Sequence, residues 1–385
     1  MGALHDAMAT KCGDQIINNI RNGNNQYQQV FSTSLSRVSD WTWPRPDYVC
    51  FDAANLCTYA IEFKPTNQTK REYLCGLGQS LSYLQKHMYA GLIVPTVADD
   101  GFAISAFINE TLQSPEFNSI ALSLFEYDPQ TLAVKLLRPI TQKRNATGLV
   151  VSSPTTNTFW CWWRDISQYE LYELLELSFK YSDRSGDIYT NNVFPDFWND
   201  LKNGNTLTWE GQKRKPALTS NQAQLKQNYK IPLNQLDLWN PSTGKLTELG
   251  LKLLKIGKLY GPDSKDFISA LTYLVLIDGK HLELIKKVED YQKSSVIPNK
   301  SDTFLLKLEN SLQNAGCIGP RKPAARRGNK TAKPSYIRDE PKLWNKLGLM
   351  ELKGKKQYFF PNEGYKFNWH IISDALVEGQ RILGA

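Results

Sequence analysis

Residues 46–65, PDYVCFDAANLCTYAIEFKP, constrain the fold more tightly than any other stretch of the chain. The runs 47–52 and 57–64 are rich in Tyr, Val, Phe, Ile and Cys, and AANL between them reads as a turn, so the segment predicts a β-hairpin. With the turn centred between Ala54 and Asn55, cross-strand partners have residue numbers that sum to 109. Asp52 then faces Cys57, and Asp47 faces Glu62. Side chains alternate along a strand. Asp47, Val49, Phe51, Ala60, Glu62 and Lys64 therefore share one face, while Tyr48, Cys50, Tyr59, Ile61 and Phe63 take the other.

Carboxylates directly opposite on antiparallel strands stand only about 4.5–5.5 Å apart at Cβ, and like charges there are destabilising. A cation between them relieves the repulsion. A hard ion such as Mg2+ suits the role, because it takes carboxylate oxygens and keeps several waters. Lys64 projects from the same face toward the same spot. The alternative is a surface hairpin whose charges pair off as Glu62 with Lys64 and Asp47 with Arg45.

Pro46-Asp47 followed by Glu62-Phe63-Lys64 on the next strand resembles the PD-(D/E)xK nuclease superfamily, the fold of many type II restriction endonucleases. The surroundings agree with the resemblance. An amphipathic DAMATKCGDQIINNIRNG precedes a strand-like QYQQVFSTSL and the hairpin. After them come KREYLCGLGQSLSYLQKH, a helix by pattern, and YAGLIVPTV, a buried strand by composition. Helix, three strands, helix, strand is that superfamily's order, and the likeness covers roughly residues 4–140. The GLGQSLSYL stretch with Gln79 also resembles the helix after ExK in many members. On an ideal wheel, however, Leu74, Leu77, Leu81 and Leu84 form the apolar stripe, and Gln79 falls opposite with Glu72 and Tyr83. A second copy of the pattern, Pro195-Asp196 with Glu210 and Lys213, fails. Its last two residues are three apart, so on a strand they point to opposite faces, and DFWNDLKNG reads as a helix ending at Gly204.

The chain is 385 residues long, enough for two or three domains. It has no run of eighteen apolar residues that would span a membrane, and its N-terminus lacks a signal-peptide pattern. The six cysteines are scattered through apolar patterns and read as buried thiols of a reducing compartment. No CxxC occurs and the four histidines are widely separated, so a zinc site has no support. Phosphate-loop and dinucleotide motifs are absent, which argues against ATP-driven and dinucleotide chemistry. The net charge of +8 is localised: residues 321–356 hold twelve Lys and Arg against three Asp and Glu, and the remainder sums to −1. A polyanion partner is the natural reading of that segment; a solvated basic linker is the alternative.

FNSIALSLFEYD and TLAVKLLRPI read as two more strands that close a first domain, residues 1–150. Residues 151–245 form an extension or linker. In it, the helix after FWCWWRDIS has Tyr169, Tyr172, Leu175 and Phe179 on one face, and Trp160, Trp162 and Trp163 read as core rather than a stacking platform. Residues 246–385 turn helical. KLTELGLKLLKIGKLYG and SKDFISALTYLVLIDG, the second capped by Ser264, are followed by KHLELIKKVEDYQ, SDTFLLKLENSLQNAGC and EPKLWNKLGLM, then by a basic-tipped hairpin around Gly354-Lys355. Helices with such a hairpin resemble a winged-helix DNA-binding module; a helical dimerisation domain is the alternative. The expected architecture is thus an α/β (α+β) restriction-endonuclease-like core with a mixed central sheet, plus a mainly helical, winged-helix-like C-terminal domain.

The resemblance implies a Mg2+-dependent, sequence-specific double-stranded DNA endonuclease of type II. In that reading Asp47 and Glu62 ligate the metal together with the Phe63 main-chain carbonyl, Lys64 handles the attacking water, Asp14 from the first helix supplies a further acid, and Gln79 supports the site. Arg321, Arg326, Arg327, Lys330, Lys355 and Lys356 are the expected DNA contacts. A homodimer, a companion DNA methyltransferase acting on the same site and a prokaryotic cytoplasmic setting without a membrane go with it. The alternatives are a repair, recombination or transposition nuclease of the same fold, an RNA nuclease, and a non-catalytic DNA-binding regulator.

Overall fold

The structure, a computed structural model, describes residues 3–384 except 25, 28, 29, 41, 42, 145–156, 165, 217–221, 321–335 and 355–356. They divide into two compact units, one of Met1–Phe159 with Asn310–Asn329 and one of Trp160–Glu309 with Lys330–Ala385. The first boundary lies close to the expected residue 150, and residues 160–245 group with the helical region that follows.

The first unit runs α1 (Ala3–Arg21), β1 (Leu35–Val38), β2 (Tyr48–Asp52), β3 (Cys57–Phe63), α2 (Lys70–Tyr83), β4 (Tyr89–Pro95), α3 (Ile104–Leu112), β5 (Leu122–Tyr127) and β6 (Val134–Arg138). The six strands form one mixed sheet in sequence order. β1, β2 and β3 are antiparallel, β3 pairs parallel with β4 and β4 with β5, and β6 returns antiparallel. Each parallel step has a helix as its crossover, as such pairs require. The chain is therefore α/β with a mixed sheet.

The hairpin has the register expected from its sequence: Asp52 pairs with Cys57, Val49 with Ala60 and Tyr48 with Ile61. Asp52 is no spare acid. Its carboxylate accepts from the Ser32 amide and hydroxyl and from the Ala54 and Asn55 amides, so it ties the turn together. The two faces of the sheet also alternate as expected. Tyr48, Cys50, Tyr59, Ile61 and Phe63 pack with Ile16, Ile17 and Ile20 of α1. Ala60, Leu92 and Val94 pack on the opposite side with Tyr73, Leu77 and Tyr83 of α2 and with Ile108 and Leu112 of α3. β3 is buried along its whole length.

Several expectations are corrected. Strand β1 begins only at Leu35, because the Gln-rich residues before it lack alternation and the chain turns at Ser32 to meet the Asp52 carboxylate. On α2 the buried face is Tyr73, Gly76, Leu77, Ser80 and Tyr83, whereas Leu74 is about half exposed. Small residues there let the helix approach the sheet, which the leucine stripe does not reveal. On α4 (Gln168–Lys180) the buried set is Leu171, Leu174, Leu175 and Ser178, with Phe179 exposed. Five cysteines are buried and Cys75 is exposed.

The second unit is helical: α4, then α5 (Phe194–Asn203), α6 (Gln222–Gln235), α7 (Glu248–Tyr260), α8 (Lys265–Leu276), α9 (His281–Ser294) and α10 (Ser301–Asn314), whose end belongs to the first unit. It continues with α11 (Glu340–Lys346), a short hairpin of β7 (Phe359–Phe360) and β8 (Gly364–Tyr365), and α12 (Trp369–Leu383). The hairpin lies a few residues beyond the expected tip. Lys355 and Lys356 fall outside the described residues. Ser264 caps α8 as expected, and Gly204 ends α5 in the left-handed conformation. Trp160 and Trp163 are buried, in line with a core role. His281 is wholly buried. Because the Trp344 indole can only donate, Nδ1 accepts from it (2.9 Å) and Nε2 donates to the Cys161 carbonyl (2.7 Å). No described helix is long and apolar enough to cross a membrane.

Candidate active site

The β2–β3 register, extended by one residue, brings Asp47 across from Glu62. Beyond it Pro46 would face Phe63, and a proline has no N–H to offer. The Phe63 carbonyl therefore finds another donor and accepts from His5 Nε2 at 3.2 Å, while the Phe63 amide donates to Asp47 Oδ2 at 2.8 Å. His5 Nε2 also lies 3.8 Å from Asp47 Oδ2. The acid is thus oriented by the backbone of the strand that carries its partner acid.

Glu62 and Lys64 leave β3 on the face covered by α2. The Lys64 ammonium lies 2.8 Å from Glu62 Oε1 and donates to Gln79 Oε1 at 2.9 Å. The other Glu62 oxygen accepts from the Tyr83 hydroxyl, which is also 3.3 Å from the Arg45 carbonyl. One hydroxyl proton cannot serve both acceptors, so an ionised Glu62 takes it and a protonated Glu62 would release it to Arg45. The Thr69–Glu72 capping box fixes where α2 begins. Gly76 then presents bare backbone to Lys64: a β-carbon on it would stand 2.5 Å from Lys64 Cε. Gly76, Gln79 and Tyr83, at i, i+3 and i+7, form one stripe against the site.

The electrostatics follow from the burial. The Glu62 carboxyl is pushed up to about 7, first by burial and then by the Asp47 charge, against the opposing pull of Lys64 and Tyr83. The Tyr83 hydroxyl is driven far above its ordinary range, by burial and then by Glu62. For His5, burial works downward, but the Asp6 and Asp47 carboxylates and the Phe63 carbonyl outweigh it, and its pKa is raised.

Of the residues singled out in the sequence, Asp47, Glu62, Lys64, the Phe63 backbone and Gln79 come together. Asp14 does not join them. Its carboxylate accepts from the Tyr48 hydroxyl at 2.6 Å, on the side of the sheet that α1 covers. Nine residues of helix separate it from His5, about 14 Å along the axis, and it is His5 in the first turn that reaches the hairpin end. Arg321, Arg326, Arg327, Lys330, Lys355 and Lys356 lie outside the described residues. His5, Gly76 and Tyr83 are the contributors that sequence reasoning missed. The i, i+3, i+7 spacing carries a signal for the last two; His5 has none. Among the described residues no group of three or more His, Cys, Asp or Glu side chains is gathered to hold an ion. The oxygens that converge here are two carboxylates and one main-chain carbonyl. No family model and no curated protein matches this chain.

Proposed function

We propose that the chain is a Mg2+-dependent endonuclease of double-stranded DNA with a restriction-endonuclease-like core. In this reading it acts as a type II enzyme and homodimer alongside a companion methyltransferase, with residues 246–385 as a winged-helix-like recognition region. The observation that carries the reading is the Lys64 ammonium held between Glu62 and Gln79, beside an acid that repels Glu62.

The donor set suits Mg2+. Asp47, Glu62 and the Phe63 carbonyl offer only hard oxygens, and the Asp47 charge opposes the ionisation of Glu62, a repulsion that a cation would relieve. Those three groups would hold the ion. When bound, it supplies Lewis acidity toward a phosphate oxygen and lowers the pKa of water at the site. The chain's own side chains do the rest. Lys64 offsets the charge that builds on the phosphoryl oxygens and positions the attacking water; Gln79 fixes the amine and Tyr83 fixes the Glu62 carboxylate. The water oxygen bonds to phosphorus and the bond to O3′ breaks, giving a 5′-phosphate and a 3′-hydroxyl.

The test is incubation of purified protein with long unmethylated duplex DNA in Mg2+ or in EDTA. Discrete fragments in Mg2+ alone support the assignment. Junction-only cleavage would move it to a repair or recombination nuclease, and binding without cleavage in Mg2+ or Mn2+ to a regulator. Asp47→Ala and Lys64→Ala should each abolish cutting and leave DNA binding largely intact; wild-type rates in either variant would refute the site.

A further inference from the structure

We infer that Trp43 is a DNA-contacting residue whose indole stacks on a nucleobase close to the scissile phosphate; this rests on the nuclease reading above. Trp43 is 84% exposed, the most exposed tryptophan among the described residues. Single exposed apolar side chains are common and by themselves mean little. What distinguishes this one is how its backbone is held. The Lys86 ammonium donates to the Trp43 carbonyl. Pro44 and Pro46 stiffen the segment further. The loop is therefore pinned to the end of the helix that supplies Gln79 and Tyr83, while the indole stands in solvent. A backbone already tied down has less freedom left to lose on binding, which favours affinity.

Position supplies the ligand. Trp43 is four residues ahead of Asp47, so its Cα lies within about 14 Å of the acid's even with the chain fully extended. That distance covers about four base steps of a DNA strand. The ring carries no charge for phosphate but offers a π-face to any base, as stacking platforms and wedges do. Lys86, whose ammonium meets the Trp43 carbonyl, puts a positive charge beside the segment.

The experiment uses the full chain and a duplex carrying the mapped cut site, with 2-aminopurine placed in turn at each position within four steps of the cut. Binding is read by anisotropy in Ca2+ without Mg2+, and cleavage in Mg2+. Stacking predicts a 2-aminopurine fluorescence change with wild-type protein that Trp43→Ala abolishes. It also predicts an affinity loss of about 5- to 150-fold for that variant, with Trp43→Phe retaining most of the binding. Affinity and cleavage of Trp43→Ala within twofold of wild type, or no fluorescence response at any position, would overturn the inference while leaving the nuclease assignment standing. A wild-type protein that cuts no DNA would remove both.

Discussion

Replacing Gly76 by alanine tests the site through a single methyl group. The added carbon would meet Lys64 Cε at 2.5 Å, Cγ at 2.9 Å and Cδ at 3.3 Å, where ordinary contact is 3.4–4 Å. The lysine stem must yield by about 1 Å, and its amine currently sits 2.8 Å from Glu62 and 2.9 Å from Gln79. Overpacking of this kind costs about 1–3 kcal/mol, partly offset by about 1 kcal/mol of helix propensity gained over glycine. Unfolding should therefore change by no more than ~2 kcal/mol. Catalysis should suffer more, since a 1 Å misplacement of a reacting group costs about 100-fold, or ~2.7 kcal/mol of barrier. Gly78→Ala is the control on the same helix: nothing lies within 4 Å of its added carbon, so activity should hold and stability should rise by ~0.5–1 kcal/mol. The assay pairs cleavage kinetics on a duplex substrate with thermal unfolding of each variant. Wild-type cleavage by Gly76→Ala, or equal damage from Gly78→Ala, would refute the assigned role of the lysine.

Two further outcomes are expected. Tyr83→Phe removes a donor from a buried carboxyl, so stability should fall by about 1–3 kcal/mol and cleavage by about tenfold or more with DNA affinity unchanged; full activity would show that the Glu62 orientation does not depend on the hydroxyl. His281 is held down to about 4, by burial against the opposing Cys161 carbonyl. The unfolded chain takes up that proton near 6.5, so its contribution is complete above 6.5 and is lost as pH falls toward 4, by up to ~3 kcal/mol at about 1.36 kcal/mol per pH unit. Denaturant melts between pH 8 and 4 should show this acid limb in wild type and a flatter one in His281→Gln; parallel curves would exclude His281 as its source.

The hairpin was legible because its constraints are local and of period two: one turn position fixed the register, both faces and the meeting of Asp47 with Glu62. Helix faces were less legible. The leucines of α2 outweighed Gly76, Ser80 and Tyr83 in a hydrophobic count, yet it is Gly76 that packs on Lys64, Ser80 that meets the Gly91 carbonyl and Tyr83 that meets Glu62. α6 escaped notice because it is Asn- and Gln-rich and carries Pro232 inside it, a residue that reads as a breaker. His5 could not be found, since its approach to Phe63 depends on how α1 docks on the sheet, 58 residues away in sequence. The sequence also suggested Asp14 as a nearby acid, but helix rise carries it to a different partner.

Pro46 acts here by subtraction. Any other residue in its place could close one more rung of the β2–β3 ladder and claim the Phe63 oxygen for ordinary sheet bonding. Because the imino acid cannot donate, the zipper loses its next bond to that oxygen, and at the end of β3 it is left to a histidine, beside an amide that goes to an aspartate. The place of His5 beside Asp47 is therefore written into the backbone itself, one residue before that acid.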